Sequence, residues 1–259
     1  MGLFNVDYNK NGPGVSKNEP KKKGFFLFWE IYFRKFWRLI GLNLIFVIAC
    51  CTVVFIGPAM AGFTYVLRNF SREKHAFVWS DFIDTAKKNL KQSLLVGFLN
   101  ALLIGILGYA IYFWYGNYTR LHTLWTAIPL AGCVIGAVLF LFMHYYIYLI
   151  LVTFDIDTKK LYKNAFILAV YALPRNLLTT LILIACSLFL FTVTTGGYLA
   201  ITALGIVVLL FLYFSFVGLA TVSMSYPVIR KVMIDPYQKT EEPIQEEPLC
   251  SDETEETDE

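Results

Sequence analysis

The sequence contains few charged residues. Only 16% of its 259 residues are charged, whereas 57% are hydrophobic. A soluble domain has about a quarter charged and about half apolar residues, so this composition does not suit a water-soluble core. The apolar residues are concentrated in runs that approach or exceed the ~20 residues needed to cross a bilayer. We therefore predict an integral membrane protein.

Motifs of catalysis and of cofactor binding are also missing. The sequence has no Walker loop, no Gly-rich dinucleotide turn, no H-E-x-x-H and no G-x-S-x-G. Its 5 cysteines include no C-x-x-C pair, and its 3 histidines show no metal-ligand spacing. No cleavable signal peptide is evident, because the first apolar run begins late and lacks a small-residue cleavage site. We expect no enzyme activity, no metal and no cofactor.

Acidic and basic residues are unevenly distributed. Ten of the 19 acidic residues lie in residues 241–259, which contain no Lys or Arg, and the other nine stand against 22 basic residues. Basic charge beside a bilayer indicates membrane topology and contact with anionic lipid. A folded basic face for nucleic acid is not evident, so we expect no nucleic-acid partner. Residues 1–23 are predicted to be a flexible basic leader, and residues 231–259 a disordered acidic tail.

The membrane domain is predicted to be an all-α bundle over residues 24–230. Its first residues, 24–38, mix aromatic and basic side chains, which is typical of an interfacial helix. Cytoplasmic elbows are expected at 68–93 and 153–176, because both are basic and amphipathic. The predicted membrane segments are about 39–56, 57–67, 94–115, 124–152, 177–195 and 198–222.

The segment 39–67 is apolar but contains Gly57-Pro58. Basic clusters flank it, and the positive-inside rule places both in the cytoplasm, so the chain has to leave and return between Arg38 and Arg68. Its twenty-nine residues are few for two full spans, which need about 40. We predict a tight hairpin whose second segment is short or re-entrant after Gly57-Pro58; a single Pro-kinked span is the alternative. The bundle then has five to six segments, with both termini cytoplasmic.

Three polar residues lie inside predicted spans, namely Asn43, Asn100 and His144. A polar or ionisable group in a bilayer is a candidate for function, because burying it in hydrocarbon is costly. A hydrogen bond to a neighbouring helix is nevertheless the commoner role for such a residue. We take all three as candidate intramembrane functional residues.

Two glycine-containing motifs also lie in the predicted spans. Gly57 and Pro58 are a candidate helix break, because broken membrane helices line substrate sites in transporters. The plainer alternative is a hairpin turn, or a helix start with Pro at its first position. Gly132-x-x-x-Gly136 matches a close helix-packing face and indicates packing rather than chemistry.

Several landmarks resemble the YesL-like family of bacterial integral membrane proteins, which contain domain of unknown function 624. Residues 57–65 resemble its "GPA…Y" signature, residues 88–92 its "K-N-x-K-Q" elbow, and residues 163–175 its "K-N-A…L-P-R" elbow. The resemblance covers most of residues 1–230. Genes of this family often accompany sugar-uptake ABC systems in Gram-positive bacteria, so the resemblance implies an accessory or regulatory role in carbohydrate uptake.

That resemblance also implies a multi-pass protein of the bacterial plasma membrane, with a sugar ABC transporter permease as a partner beside the lipid bilayer. The alternative is a small-molecule transporter or channel in its own right. A homo-oligomer is left open. Basic residues of the two elbows are candidate docking residues. They are Arg72, Lys87, Lys88, Lys91, Lys159, Lys160, Lys163 and Arg175.

Overall fold

A computed structural model describes residues 24–195 and 199–236, and over these residues every regular element is helical. The predicted all-α fold is therefore confirmed. The basic leader and residues 237–259 of the predicted acidic tail lie outside the described residues. The α-helices are α1 (Phe25–Arg34), α2 (Phe36–Cys50), α3 (Ile56–Ser71), α4 (Val78–Lys88), α5 (Leu90–Leu121), α6 (Leu124–Leu151), α7 (Thr158–Tyr171), α8 (Leu173–Thr195), α9 (Leu199–Val208) and α10 (Phe214–Ile229).

The described residues contain five helical stretches that are long and apolar enough to cross a membrane. The last of them joins α9 to α10 through a π-helical turn, Leu209–Tyr213, and continues through a second π-helical turn, Arg230–Ile234. α2 is apolar but shorter than the five. The chain is thus a multi-pass helical membrane protein. The five stretches are Val53–Ser71, Leu90–Leu121, Leu124–Leu151, Leu173–Thr195 and Ala200–Ile234.

α2 and α3 form a hairpin around a short 3-10 turn, Val53–Phe55. At its open end the Lys35 Nζ donates a hydrogen bond to the Lys74 carbonyl oxygen at 3.0 Å. Nearer the turn, the rings of Phe46 and Phe63 stack with their centroids 4.3 Å apart. In each pair the two residues lie equally far along the chain from the turn. This is the pattern expected of two antiparallel helices joined by that turn. The second segment predicted after Gly57-Pro58 corresponds to α3, but α2 is the shorter helix of the hairpin.

α3 lies at the centre of the bundle, packed against α2, α4, α5, α6 and α10. Most of its side chains are buried. Small residues allow this close packing: a Cβ on Gly62 would meet the Phe82 backbone of α4 at 2.5 Å, and a Cβ on Gly218 of α10 would meet Phe63 and Leu67 at 2.6 Å. Protein on several sides, rather than lipid, therefore surrounds this helix.

Three helices extend beyond the predicted bounds, because a helix does not stop where its hydropathy falls. The span predicted at 94–115 is 32 residues long in α5, or about 48 Å, longer than the ~30 Å hydrocarbon core. The span predicted from 177 begins at Leu173, because the first turn of a helix accommodates Pro174, which lacks a backbone donor. The helix also continues past 230 to Pro236, where an Arg230–Asp235 ion pair at 3.2 Å joins successive turns.

Several helix ends meet at one end of the bundle. Gly24 before α1, Arg72 after α3, Thr153 after α6, Arg175 in α8 and Arg230 after α10 line one common cavity. α4 and α7, the helices inside the two predicted elbows, adjoin the same end through α3 and α6. We call this region, residues 68–93, 153–175 and 230–236, the basic end.

Candidate functional site

Asn43 ties α2 to the π-helical turn of the last membrane helix. Its Nδ2 donates hydrogen bonds to the carbonyl oxygens of Leu210 at 2.6 Å and Leu209 at 3.4 Å. Its Oδ1 accepts one from the Ser215 backbone N–H at 2.7 Å. A π-helical turn disrupts the regular i→i−4 ladder, and backbone groups left over in hydrocarbon are costly. The fully buried Asn43 supplies bonds to backbone groups at this irregularity.

Asn100, Tyr148 and Tyr162 form a second polar cluster. The Tyr162 hydroxyl of α7 donates a hydrogen bond to the Asn100 Oδ1 of α5 at 2.7 Å. Tyr148 of α6 lies beside Asn100, and the ring of His144, one turn earlier, is 5.6 Å from the Tyr148 ring. The structure therefore brings two of the predicted residues, Asn100 and His144, into one neighbourhood. It places Asn43 elsewhere, against the last membrane helix.

This cluster, which we call the α5–α6 polar cluster, contains two buried polar atoms without a hydrogen-bond partner: the Asn100 Nδ2 and the His144 Nδ1. His144 also lines a groove of about 330 Å³ between α5 and α6, whose other lining residues include Leu107 and Phe140. Buried polar atoms are normally paired, so the two unsatisfied atoms distinguish this cluster from Asn43, whose amide atoms are bonded.

Gly57 and Pro58 form the start of α3 rather than a break within a helix. Both are in the first turn of α3, where the missing N–H of proline leaves no hydrogen bond unmade. Gly57 packs directly on the α5 backbone: a Cβ there would overlap the Ser93 carbonyl, and one on Gly97 would lie 3.0 Å from the Gly57 Cα. The irregular segment that separates α2 from α3 lies just before them, at residues 51–55.

The candidate docking residues are divided among three cavities at the basic end and the surface of α7. Arg72 and Arg175 lie in the first cavity, with Lys74 and Arg230, which sequence reasoning had not selected; we call this cavity the arginine pocket. A second cavity of about 850 Å³ contains three of the predicted lysines together with three acidic residues. Those residues are Lys87, Lys88, Lys91, Asp81, Asp84 and Asp155.

The other candidate lysines lie on α7. Lys160 lines a third cavity with Lys91, Asp155 and Asp157. Lys159 and Lys163 are exposed on α7 and line none of these three cavities. The eight residues are therefore spread over three cavities and the surface of α7, and only Arg72 and Arg175 line a pocket whose lining contains no carboxylate.

Two buried cations hold the basic end together. The Arg68 Nη1 donates hydrogen bonds to the Val152 carbonyl oxygen at 2.8 Å and to the Thr153 Oγ1 at 3.0 Å, which fastens α3 to the end of α6. Lys35 lies over the Phe70 ring at 4.3 Å and bonds the Lys74 carbonyl. Burial lowers the pKa of Lys35, and repulsion from neighbouring arginines lowers it further.

Sequence reasoning missed residues whose role depends on tertiary contacts. Sequence reasoning assigned Arg68 to a cytoplasmic elbow. Its position next to an apolar run was a signal that the side chain could be buried and bonded to a neighbouring helix. Asn176 is fully buried, accepts a hydrogen bond from the Tyr146 hydroxyl at 2.7 Å and donates one to the Ala169 carbonyl at 3.0 Å. An Asn placed before a run of apolar residues was the available signal. Nothing in the sequence indicated that Tyr162 bonds Asn100.

Among the described residues, no group of three or more His, Cys, Asp or Glu side chains is arranged to hold a metal ion. What the site offers instead is polar groups within a helical membrane protein and a basic pocket at one end of it. Residues 39–111, which include most of the α2–α3 hairpin, α4 and most of α5, match a family model described as a protein of unknown function, DUF624. No curated protein and no solved structure matches the chain.

Proposed function

We propose that this chain is an accessory or regulatory protein of the bacterial plasma membrane, without enzymatic activity, that assists carbohydrate uptake by an ABC transporter. The observation that carries the proposal is how the buried amides are used. Asn43 and Asn176 direct their polar atoms to backbone and side-chain partners within the bundle. A solute path would need such groups to face a channel, so their use in packing favours a docking protein over a carrier.

The basic end faces the cytoplasm in this proposal. It contains the elbow bases, and the positive-inside rule places such residues there. Gly24 and Ile234, near the two ends of the described chain, line the same cavity at this end. Both termini are therefore cytoplasmic in the proposal.

α7 is the docking element that we favour. Its exposed residues include lysines and apolar side chains, among them Lys159, Lys163, Phe166 and Ile167. Exposed apolar side chains rimmed by charge are typical of a protein-interaction surface. A permease that contacts α7 would bind beside the membrane surface, where the cytoplasmic loops of the permease can reach this helix.

Site-specific photocrosslinking in native membranes tests this proposal. A photoreactive residue at Phe166 is expected to form an adduct that contains a sugar-transporter permease, identified by mass spectrometry. The same residue at the exposed Leu188 of α8 serves as the control, because it lies on a helix face exposed to lipid. Adducts at Phe166 with lipid or with this chain alone would refute the docking role, as would equal permease yields at both positions.

A transporter in its own right is the second candidate, because the α5–α6 polar cluster has two unpartnered polar atoms. Flux assays in proteoliposomes separate the two candidates. Uptake by the purified chain that is abolished by His144→Ala, but not by Ala137→Val in the same groove, would favour the transporter. Uptake indistinguishable from that of empty liposomes would favour the accessory role.

A further inference from the structure

The arginine pocket is built from five parts of the chain at the basic end. It has a volume of about 550 Å³, and its walls come from α1, the end of α3, the segment after α6, the start of α8, and α10 with the π-helical turn after it. Cavities of roughly 300–1,000 Å³ suit small ligands. It is therefore large enough for a ligand headgroup and is assembled only when the bundle is folded.

The charge of the pocket is of one sign. Its lining includes Arg72, Lys74, Arg175 and Arg230, and no Asp or Glu. Arg230 pairs with Asp235, which is not in the lining, whereas the described residues provide no ion pair for the other three. The neighbouring cavity of Lys87, Lys88 and Lys91 contains three aspartates instead. Basic residues beside a membrane are common, but a pocket without carboxylates is a distinct feature of this end.

The surroundings of two arginines favour the binding of an anion. The Arg72 guanidinium lies over the Tyr226 ring, 5.4 Å from its centroid, and Tyr226 itself lines the pocket. Arg175 is in the first turn of α8, where the helix dipole adds positive potential. Guanidinium groups bind phosphate oxygens through two parallel hydrogen bonds. The pocket therefore offers an anion guanidinium donors, one of them stacked on a ring, in a region of positive potential.

The wall that α1 contributes to the pocket is apolar. Leu27, Phe28 and Ile31 of α1 form it. On the same helix Phe25, Phe26 and Phe33 are largely exposed, and aromatic residues of this kind lie at the headgroup level of a bilayer. A ligand that carries both a phosphate and an apolar chain would contact both walls.

We infer that the arginine pocket binds a phosphate-bearing anion, and that an anionic phospholipid headgroup is the source that fits both walls. The phosphate lies between Arg72 and Arg175, while the acyl chains leave along α1 toward the bilayer. A free phosphomonoester shares the headgroup chemistry but would leave the apolar wall unused. This inference does not depend on the role in carbohydrate uptake.

Thermal-shift titration of the detergent-solubilised full chain tests the inference. Dioctanoyl phosphatidylglycerol is expected to raise the melting temperature saturably, whereas dioctanoyl phosphatidylcholine is not. Glycerol 3-phosphate forms the third arm: a saturable response to it at similar concentration would identify a free phosphate compound as the ligand. Arg72→Gln/Arg175→Gln is expected to weaken phosphatidylglycerol binding about tenfold or more, since hydrogen bonds to charged groups are the stronger ones.

Lys87→Gln/Lys88→Gln is the matched control, because it removes the same charge from the same end outside the pocket. It should change the apparent affinity by less than about twofold if the pocket rather than general surface charge binds the ligand. If the arginine variant does not fold, Ser71→Asp places a carboxylate in the pocket lining and should weaken binding similarly. Equal losses in the pocket and control variants, or no saturable response to either phosphate compound, would overturn the inference.

Discussion

The half of the bundle near the basic end and the half away from it are held together differently. Near the basic end, α3 is buried among five other helices, and Arg68 and Lys35 bond to backbone carbonyls across the helices. In the other half, side chains of α5, α6 and α8 such as Ile104, Ile135 and Leu188 remain exposed.

This difference shows that hydropathy identifies membrane segments without stating which of them lipid surrounds. α3 is the least apolar of the five membrane-length stretches and the most buried one. It contains small residues and a terminal arginine that bonds to neighbouring backbone, so it suits a protein environment. α5 and α8 are more apolar and face outward, because lipid solvates their side chains.

The largest expected effect comes from adding one methyl group at the buried crossing. Gly57→Ala would drive its Cβ into the Ser93 carbonyl of α5, and backbone on both sides cannot move aside cheaply. We expect a loss of about 2–3 kcal/mol or failure to fold, because overpacking forces backbone shifts. The measurement is the melting temperature and the monodisperse yield in detergent.

Gly132→Ala is the control from the other half of the molecule. No atom lies within 4 Å of the added Cβ, so the substitution should be neutral or stabilise α6 by up to about 1 kcal/mol through helix propensity. Comparable losses in Gly57→Ala and Gly132→Ala would show that the two halves are packed alike, contrary to this comparison.

The buried amides allow a second comparison. Asn43→Leu would leave the Ser215 N–H and the Leu210 carbonyl without their Asn43 bonds, at an expected cost of about 2–3 kcal/mol. Asn100→Leu loses the bond from Tyr162 but also removes an unpartnered Nδ2, so about 1 kcal/mol is expected. Urea unfolding of both variants in detergent checks the order. The reverse order would mean that the π-helical turn does not depend on Asn43.

Much of the architecture was predictable because membrane segments follow from local composition. Hydropathy and the positive-inside rule predicted an all-α bundle with a hairpin in 39–67, and α2 and α3 form that hairpin. The shorter of its two helices is the first one, α2, and not the second as predicted. The packing faces were not predictable. Gly132-x-x-x-Gly136 matched a close-packing motif, yet a Cβ on Gly136 would only meet Leu107 at 3.8 Å. The close glycine contact joins Gly57 to Gly97, residues 40 positions apart, and spacing within one helix carries no information about it.

The candidate site shows the same limit. Single polar residues in apolar runs were visible, so Asn43, Asn100 and His144 could be selected from the sequence. Their partners come from distant segments: Asn43 bonds residues of the last membrane helix, and Asn100 bonds Tyr162 of an elbow. Such distant partners decide whether a polar side chain in the membrane has its hydrogen bonds made within the bundle or is left to bind a ligand.

The smallest expected effect concerns Tyr162, which joins the basic end to the α5–α6 polar cluster. Burial and the nearby Tyr148 raise the pKa of Tyr162 to about 12, from an ordinary value of 10.0. The folded state therefore favours the neutral phenol. Its stabilising contribution is full below pH 10.0 and is lost as the pH rises toward about 12. Tyr162→Phe removes the hydrogen bond to Asn100 and with it about 1 kcal/mol at neutral pH.

The pH dependence separates this role from simple packing. The unfolding free energies of the wild type and Tyr162→Phe should lie closer together at about pH 11 than at about pH 8, because only the wild type loses stability through ionisation of Tyr162. Tyr171→Phe, at an exposed position on the same helix, is the control and should show no such convergence. A difference between wild type and Tyr162→Phe that stays constant with pH would show that the phenol is not held neutral against α5. The basic end would then be joined to the membrane half by packing alone.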